Sequence, residues 1–112
     1  MFKNIPLPKL PTIDQILQIE IFCQEMKTYP TSKIIETILE NHKLYHQNLM
    51  QIEDKHAVSY ERQFSLIALE KILPSCSQES LIAMAKDALW YQTTSANMLK
   101  TQQETYEKNA TI

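Results

Sequence analysis

Glycine is absent from all 112 residues of the chain, where average usage would supply roughly seven or eight. That absence excludes the glycine-rich phosphate loop, the dinucleotide-binding turn and the two-residue type I′ hairpin, which need positive φ or close backbone approach. Proline occurs only at positions 6, 8, 11, 30 and 74, so residues 31–73 and 75–112 contain neither strong helix breaker. Long helices are the natural reading of such stretches. A basic excess is missing as well. Eleven Lys and Arg against 13 Asp and Glu leave a net charge of −2, with the two signs interspersed. No stripe of cations is available to neutralise a phosphate backbone, and nucleic acid is not an expected partner.

Cysteine is scarce, and Cys23 and Cys76 stand alone, with neither CxxC spacing nor a disulfide framework. They read as small, half-buried hydrophobes. Long apolar runs are missing too. No uninterrupted run exceeds the five residues of Leu81-Ile82-Ala83-Met84-Ala85, and the opening "MFKNIPLPKLP" has no apolar centre, so neither a cleaved signal nor direct membrane insertion is expected. What remains is an ordinary globular composition, 44% hydrophobic and 21% charged. A helical chain of this length buries only a modest core, and much of its apolar surface then calls for a partner.

The expected fold is all-α: an extended Pro-rich leader (1–11), then one helical assembly domain (12–112) with a short helix, a long interrupted helix and a long C-terminal helix. The arrangement is hairpin-like and completed by oligomerisation. The prolines of the leader favour extended or polyproline II backbone. Thr12 and Gln15 fit a capping box that starts the first helix, which should reach about Lys27. At about 100° per residue, Ile13, Leu17 and Ile21 fall on one side of it and Ile19, Phe22, Cys23 and Met26 nearly opposite. A four-turn helix with two apolar sides is usually sandwiched, which argues for a partner subunit.

Thr31 or Ser32, after Pro30, is the expected cap of the second helix. Its stripe of Ile35, Ile38, His42, Tyr45, Leu49, Ile52 and His56 repeats at spacings of three and four. Residues 53–63 hold Val58 as their only strongly apolar side chain, and a frayed or bent middle is expected there. Phe64, Ile67, Ala68 and Ile72 restore a stripe before Pro74 ends the helix. Ser75 and Gln78 fit a second capping box, with Ser77 as a competing cap, and the last helix starts near residue 78 and runs about 30 residues, roughly 45 Å.

Little in this chain suggests chemistry. His42 and His46 are one turn apart, close enough to share a metal, but the HExxH glutamate is missing and no third ligand is placed in sequence. No glycine-flanked elbow presents a serine, and no Cys/His pair is local. No catalytic residue, metal or cofactor is expected, and the chain does not read as an enzyme. The C-terminal helix is more informative as a surface. Leu81, Ala85, Ala88, Leu89, Ala96 and Leu99 form a stripe with Gln92 and Gln103, flanked by Met84. Trp90 falls on the opposite, polar side with Lys86, Asp87, Thr94, Asn97 and Thr101. An indole left there implies that this face also meets protein, either another subunit or the N-terminal part of the same chain. The small residues allow close helix approach, and the Thr, Ser and Gln positions suit a contact that tolerates water.

Two stretches resemble the inner-rod, or needle-adapter, family of bacterial type III secretion systems. "LPTIDQILQIEIFCQEM" is similar to the family's segment after a Pro/Thr/Ser-rich leader, with Asp14, Ile16, Phe22, Glu25 and Met26 at matching places, although Phe22 comes later than the family's aromatic. "SQESLIAMAKDALWYQTTSANMLKTQQ" with the terminal "ATI" is similar to its C-terminal helix, through Ser77, Leu81, Met84, Leu89, Leu99, Lys100, Thr111 and Ile112. The resemblance implies a protein exported by the secretion machine without a cleaved signal. Such a protein is assembled with copies of itself in the Gram-negative envelope, and joins export-apparatus proteins to needle subunits. With the surface reading of the C-terminal helix, it puts Ile16, Ile19, Phe22, Met26, Leu81, Met84, Ala85, Ala88, Leu89, Trp90, Leu99, Lys100 and Ile112 at expected assembly contacts. The family's C-terminus is also a ligand for a host innate immune sensor, and the chain departs from the family at that end, with Gln102, Gln103 and Glu104 in place of small residues and Ile112 in place of a leucine pair. A needle subunit, or a small all-α binding protein such as a secretion chaperone or an immunity or antitoxin-like regulator, is the alternative.

Overall fold

The computed structural model describes residues 10–53 and 66–110, with the side chains of 10–52 and 66–104. Helix α1 spans Ile13–Met26 and α2 spans Thr31–Glu53. Residues 66–72 form α3, which tightens into a 3-10 turn at Leu73–Ser75, and α4 spans Gln78–Ala110. The described residues are all-α, without a strand.

Local chemistry accounts for both ends of α1 and for the starts of α2 and α4. At the start of α1 the Gln15 amide donates to the Thr12 hydroxyl (3.2 Å) and the Thr12 amide donates to the Gln15 side chain (2.9 Å), which is the expected capping box. Without a glycine to enter the left-handed region, α1 closes differently. Lys27 stays right-handed, and the amides of Lys27, Thr28 and Tyr29 bond back three residues at 3.3, 3.0 and 3.1 Å. Helix α2 begins at Thr31 itself, with the Pro30 carbonyl accepting from the amides of Lys33 (3.0 Å) and Ile34 (3.3 Å), so Pro30 takes the cap position expected of Thr31 or Ser32. At α4 the competing cap prevails. The Ser80 amide donates to the Ser77 hydroxyl at 3.2 Å, while the Ser75 hydroxyl donates to the Ile72 carbonyl at 2.8 Å. Pro74 holds Ser75 inside the 3-10 turn, too early to start the helix.

With 33 residues α4 is about 50 Å long, close to the molecule's longest dimension of 52 Å. It is the spine: α2 packs extensively along it and α1 more lightly. Met26, Ile34, Ile38, Leu73, Leu81 and Ala85 are fully buried together, joined by Ile19 and Cys23. All four helical segments reach this core, since Leu69 of α3 packs against it and Leu73 ends inside it. The radius of gyration, 16.0 Å, exceeds the about 13 Å of a compact chain of this length, because the spine outruns the helices packed on it.

The expected long interrupted helix is two helices that lie side by side. Leu66 and Glu70 of α3 line the same groove as Ser32, Ile35, Glu36, Leu39, Glu40 and Lys43 of α2, so the chain doubles back beside its own earlier turn. Helix α2 is therefore contacted from two directions. Ile34, left out of the expected stripe, is fully buried, while Ile35 is half-buried on the α3 side. The bent middle expected at 53–63 lies, from residue 54 onward, outside the described residues. Residues 1–9 of the leader and His56 lie outside them too. Among the described residues no helix is long and apolar enough to cross a membrane.

Candidate functional site

Helix α1 carries the most conspicuous unfilled surface. Its inner side buries Ile19, Cys23 and Met26 in the core, with Phe22 and Ile16 half-buried. Its outer side exposes Ile13 by 78%, Leu17 by 54% and Ile21 by 53%, each one turn after the last, with Leu10 exposed just before the helix. The two apolar sides expected from the spacing are thus present, and the chain itself fills only one.

Polar contacts flank the buried side of α1. The Gln15 amide nitrogen donates to Asn97 Oδ1 (3.2 Å), and the Asn97 amide donates back to Gln15 Oε1 (3.0 Å). Glu20 pairs with Lys86 at 2.6 Å, and hydrogen bonding to that carboxylate pushes the ammonium's pKa up. Both contacts reach α4 and lie beside the inner face, so Ile13, Leu17 and Ile21 are turned away from the bundle. Between α1 and α4 a cleft of about 350 Å³ is lined by Asp14, Gln15, Gln18, Ile19, Phe22, Leu89 and Thr93.

Of the assembly residues expected on α4, Leu81, Ala85 and Ala88 are fully buried inside the chain's own bundle. Met84, Leu89 and Leu99 are half-buried, Lys100 is exposed and Ile112 lies outside the described residues. The placement of Trp90 on a bare polar face is corrected. The indole is half-buried and packs against the chain's own core. A helical projection assigns one inward direction, whereas α4 is approached by α1 and α2 from different sides.

The polar positions of α4 are likewise used within the chain. Ser95 is 1% exposed. Its hydroxyl accepts from the Asn48 amide (3.1 Å) and donates to the Gln92 carbonyl (2.9 Å). Tyr45 of α2 stacks on Tyr91 of α4 with ring centres 5.5 Å apart. The polar positions of α4 were expected to suit a contact that tolerates water, and Ser95 makes a buried one between helices of the same chain. The available signal was Asn48, which lies three residues after Tyr45 on the contacting side of α2.

His42 and His46 have ring centres 6.2 Å apart, and among the described residues no three His, Cys, Asp or Glu side chains come together as metal ligands would. Burial pushes the His42 pKa down, partly opposed by Asp87. Burial, reinforced by the Glu20 charge, raises that of Cys23, which keeps the thiol protonated and unreactive. Both cysteines are free, Cys23 buried and Cys76 half-buried. Compared with known proteins, the chain matches no family model, no curated protein and no solved structure.

Proposed function

We propose that this chain is a structural subunit acting by helix assembly, of the inner-rod or needle-adapter kind in a bacterial type III secretion apparatus. The observation that carries the reading is the outer face of α1. Three aliphatic side chains more than half exposed in one helical line form a contiguous apolar patch, and the largest such patch on a protein surface is often a contact site. A neighbouring copy of the chain is the occupant in this reading, with needle subunits and export-apparatus proteins at the ends of the array. The resemblance of residues 10–26 and 77–112 to the rod family supplies the machine, the export route and the envelope location. Contact with a host immune sensor through the C-terminus belongs to the same resemblance.

The test has two parts. The purified chain should self-associate as its concentration rises in sedimentation velocity, and Leu17→Glu with Ile21→Glu should keep it monomeric while preserving its helical circular dichroism. In the native host, removal of residues 100–112 should abolish needles and secretion. Normal needles in that strain would overturn the secretion reading.

One observation favours the second reading, a small all-α binding protein. The stripe of α4 is filled by the chain's own α2 and α1, so the bundle has a core without any partner. A sharply melting monomer that never self-associates would decide for it.

A further inference from the structure

The groove between α2 and α3 differs from the outer face of α1. Among the described residues its floor is Ile35, Leu39 and Leu66, all half-buried, and its rim carries Glu36, Glu40 and Glu70 with one cation, Lys43. The space is about 510 Å³. From Ser32 to Lys43 it runs roughly 16 Å along α2, at 1.5 Å per residue, the length of three helical turns.

The charges of this rim are poorly matched by the chain itself. Among the described residues none of the three groove carboxylates is paired with a cation, unlike Glu20, which pairs with Lys86. Glu36 and Glu40 are one turn apart on the same helix, a like-charge spacing that disfavours the helix it sits on. An apolar floor beneath unpaired carboxylates leaves two deficits that one ligand can meet together. Aliphatic side chains would cover Ile35, Leu39 and Leu66, and flanking ammonium or guanidinium groups would meet the glutamates.

We propose that this groove binds a basic amphipathic helix of a partner protein, with Leu- or Ile-like side chains on the floor and Lys or Arg against Glu36, Glu40 and Glu70. A second copy of the chain is a poor occupant. Its own exposed apolar helix face, Ile13, Leu17 and Ile21, has Asp14, Glu20 and Glu25 among its neighbours and would bring carboxylates to carboxylates. The groove therefore selects a partner different from the one that covers α1, and the proposal stands apart from the assembly reading.

The experiment uses the full chain and a fluorescein-labelled peptide of about 14 residues, long enough for a marginal helix, built from leucine and lysine in helical spacing. A leucine–glutamate counterpart serves as the second probe. Fluorescence anisotropy should show saturable binding of the lysine peptide, weakened by salt, and at least tenfold weaker binding of the glutamate peptide. The triple variant Glu36→Gln, Glu40→Gln, Glu70→Gln should lose at least tenfold in affinity. A matched triple elsewhere on the surface, Asp14→Asn, Glu25→Gln, Glu79→Gln, changes net charge equally and should bind like the wild-type chain. Equal losses in the two triples would mean attraction to bulk acidity and would overturn the proposal. So would no binding, no loss in the groove triple, or a loss confined to Leu17→Glu, which would place the peptide on α1. Circular dichroism of each variant establishes that the helices are intact.

Discussion

At one end of the bundle Met26, Ile34, Ile38, Leu73, Leu81 and Ala85 meet as fully buried apolar side chains. Further along the same spine, α2 is held to α4 by Asn48 with Ser95 and by Tyr45 stacked on Tyr91, and α1 is held by Gln15 with Asn97. The dry end supplies most of the area withdrawn from water, a contribution that depends little on how one helix slides against another. The polar end supplies direction. An amide and a hydroxyl satisfy each other in one register and are left unpaired in its neighbours, at a cost that grows with burial. The difference teaches that the residues most easily mistaken for a water-facing surface align the helices.

The largest test removes the dry end's middle. Ile38→Ala should lower stability by about 2–5 kcal/mol, the usual cost of truncating a fully buried aliphatic, read from urea unfolding followed by circular dichroism. A loss under half that size would mean that the apolar end is loosely packed.

At the polar end, Ser95→Ala should cost about 1–3 kcal/mol, because the Asn48 amide is left without its acceptor in a part-buried place. The same substitution in an Asn48→Ala background should cost clearly less. Additive losses in that double-mutant cycle would show that the pair does not act as a unit, and the contrast between the ends would weaken.

A smaller effect comes from His42, whose pKa lies below its ordinary 6.5 because of burial. The folded chain then binds this proton less readily than the unfolded chain. The stability tied to the neutral ring is complete above pH 6.5 and is lost as pH falls through the lowered pKa. In His42→Gln the unfolding midpoint should fall less between neutral and mildly acidic pH than in the wild-type chain. Identical acid limbs would remove His42 as the cause.

The smallest effect is expected for Glu20→Gln. The pair with Lys86 joins side chains nearly half exposed, 46% and 48%, and such pairs contribute little. The thermal midpoint should stay within error of wild type, and a clear drop would give this surface contact an unexpected part in docking α1.

Thr12 and Gln15 were legible as a cap because a capping box involves residues three apart, whose geometry tertiary contacts scarcely alter. The two apolar sides of α1 were legible for the same reason: helical period turns sequence positions into directions. Harder to read were Ser77 over Ser75 at α4, which turned on a 3-10 turn around Pro74, and Ile34 over Ile35 on α2, which turned on α3 lying alongside. Trp90 was set on a polar face for one cause. A projection supplies the faces of a helix but not how many neighbours approach it.

Local patterning in the sequence was enough to show that the described chain is helical, where α1, α2 and α4 begin to within a few residues, and that α1 has more apolar surface than one contact can cover. These are properties of local backbone geometry, of prolines and caps, and of the missing glycines. Only the tertiary structure decided which side of α1 stays open, that α3 doubles back on α2 to make an acid-rimmed groove, and that the serines and amides of α4 face neighbouring helices. Those outcomes depend on contacts between residues up to 82 positions apart, and no local rule carries information across that distance.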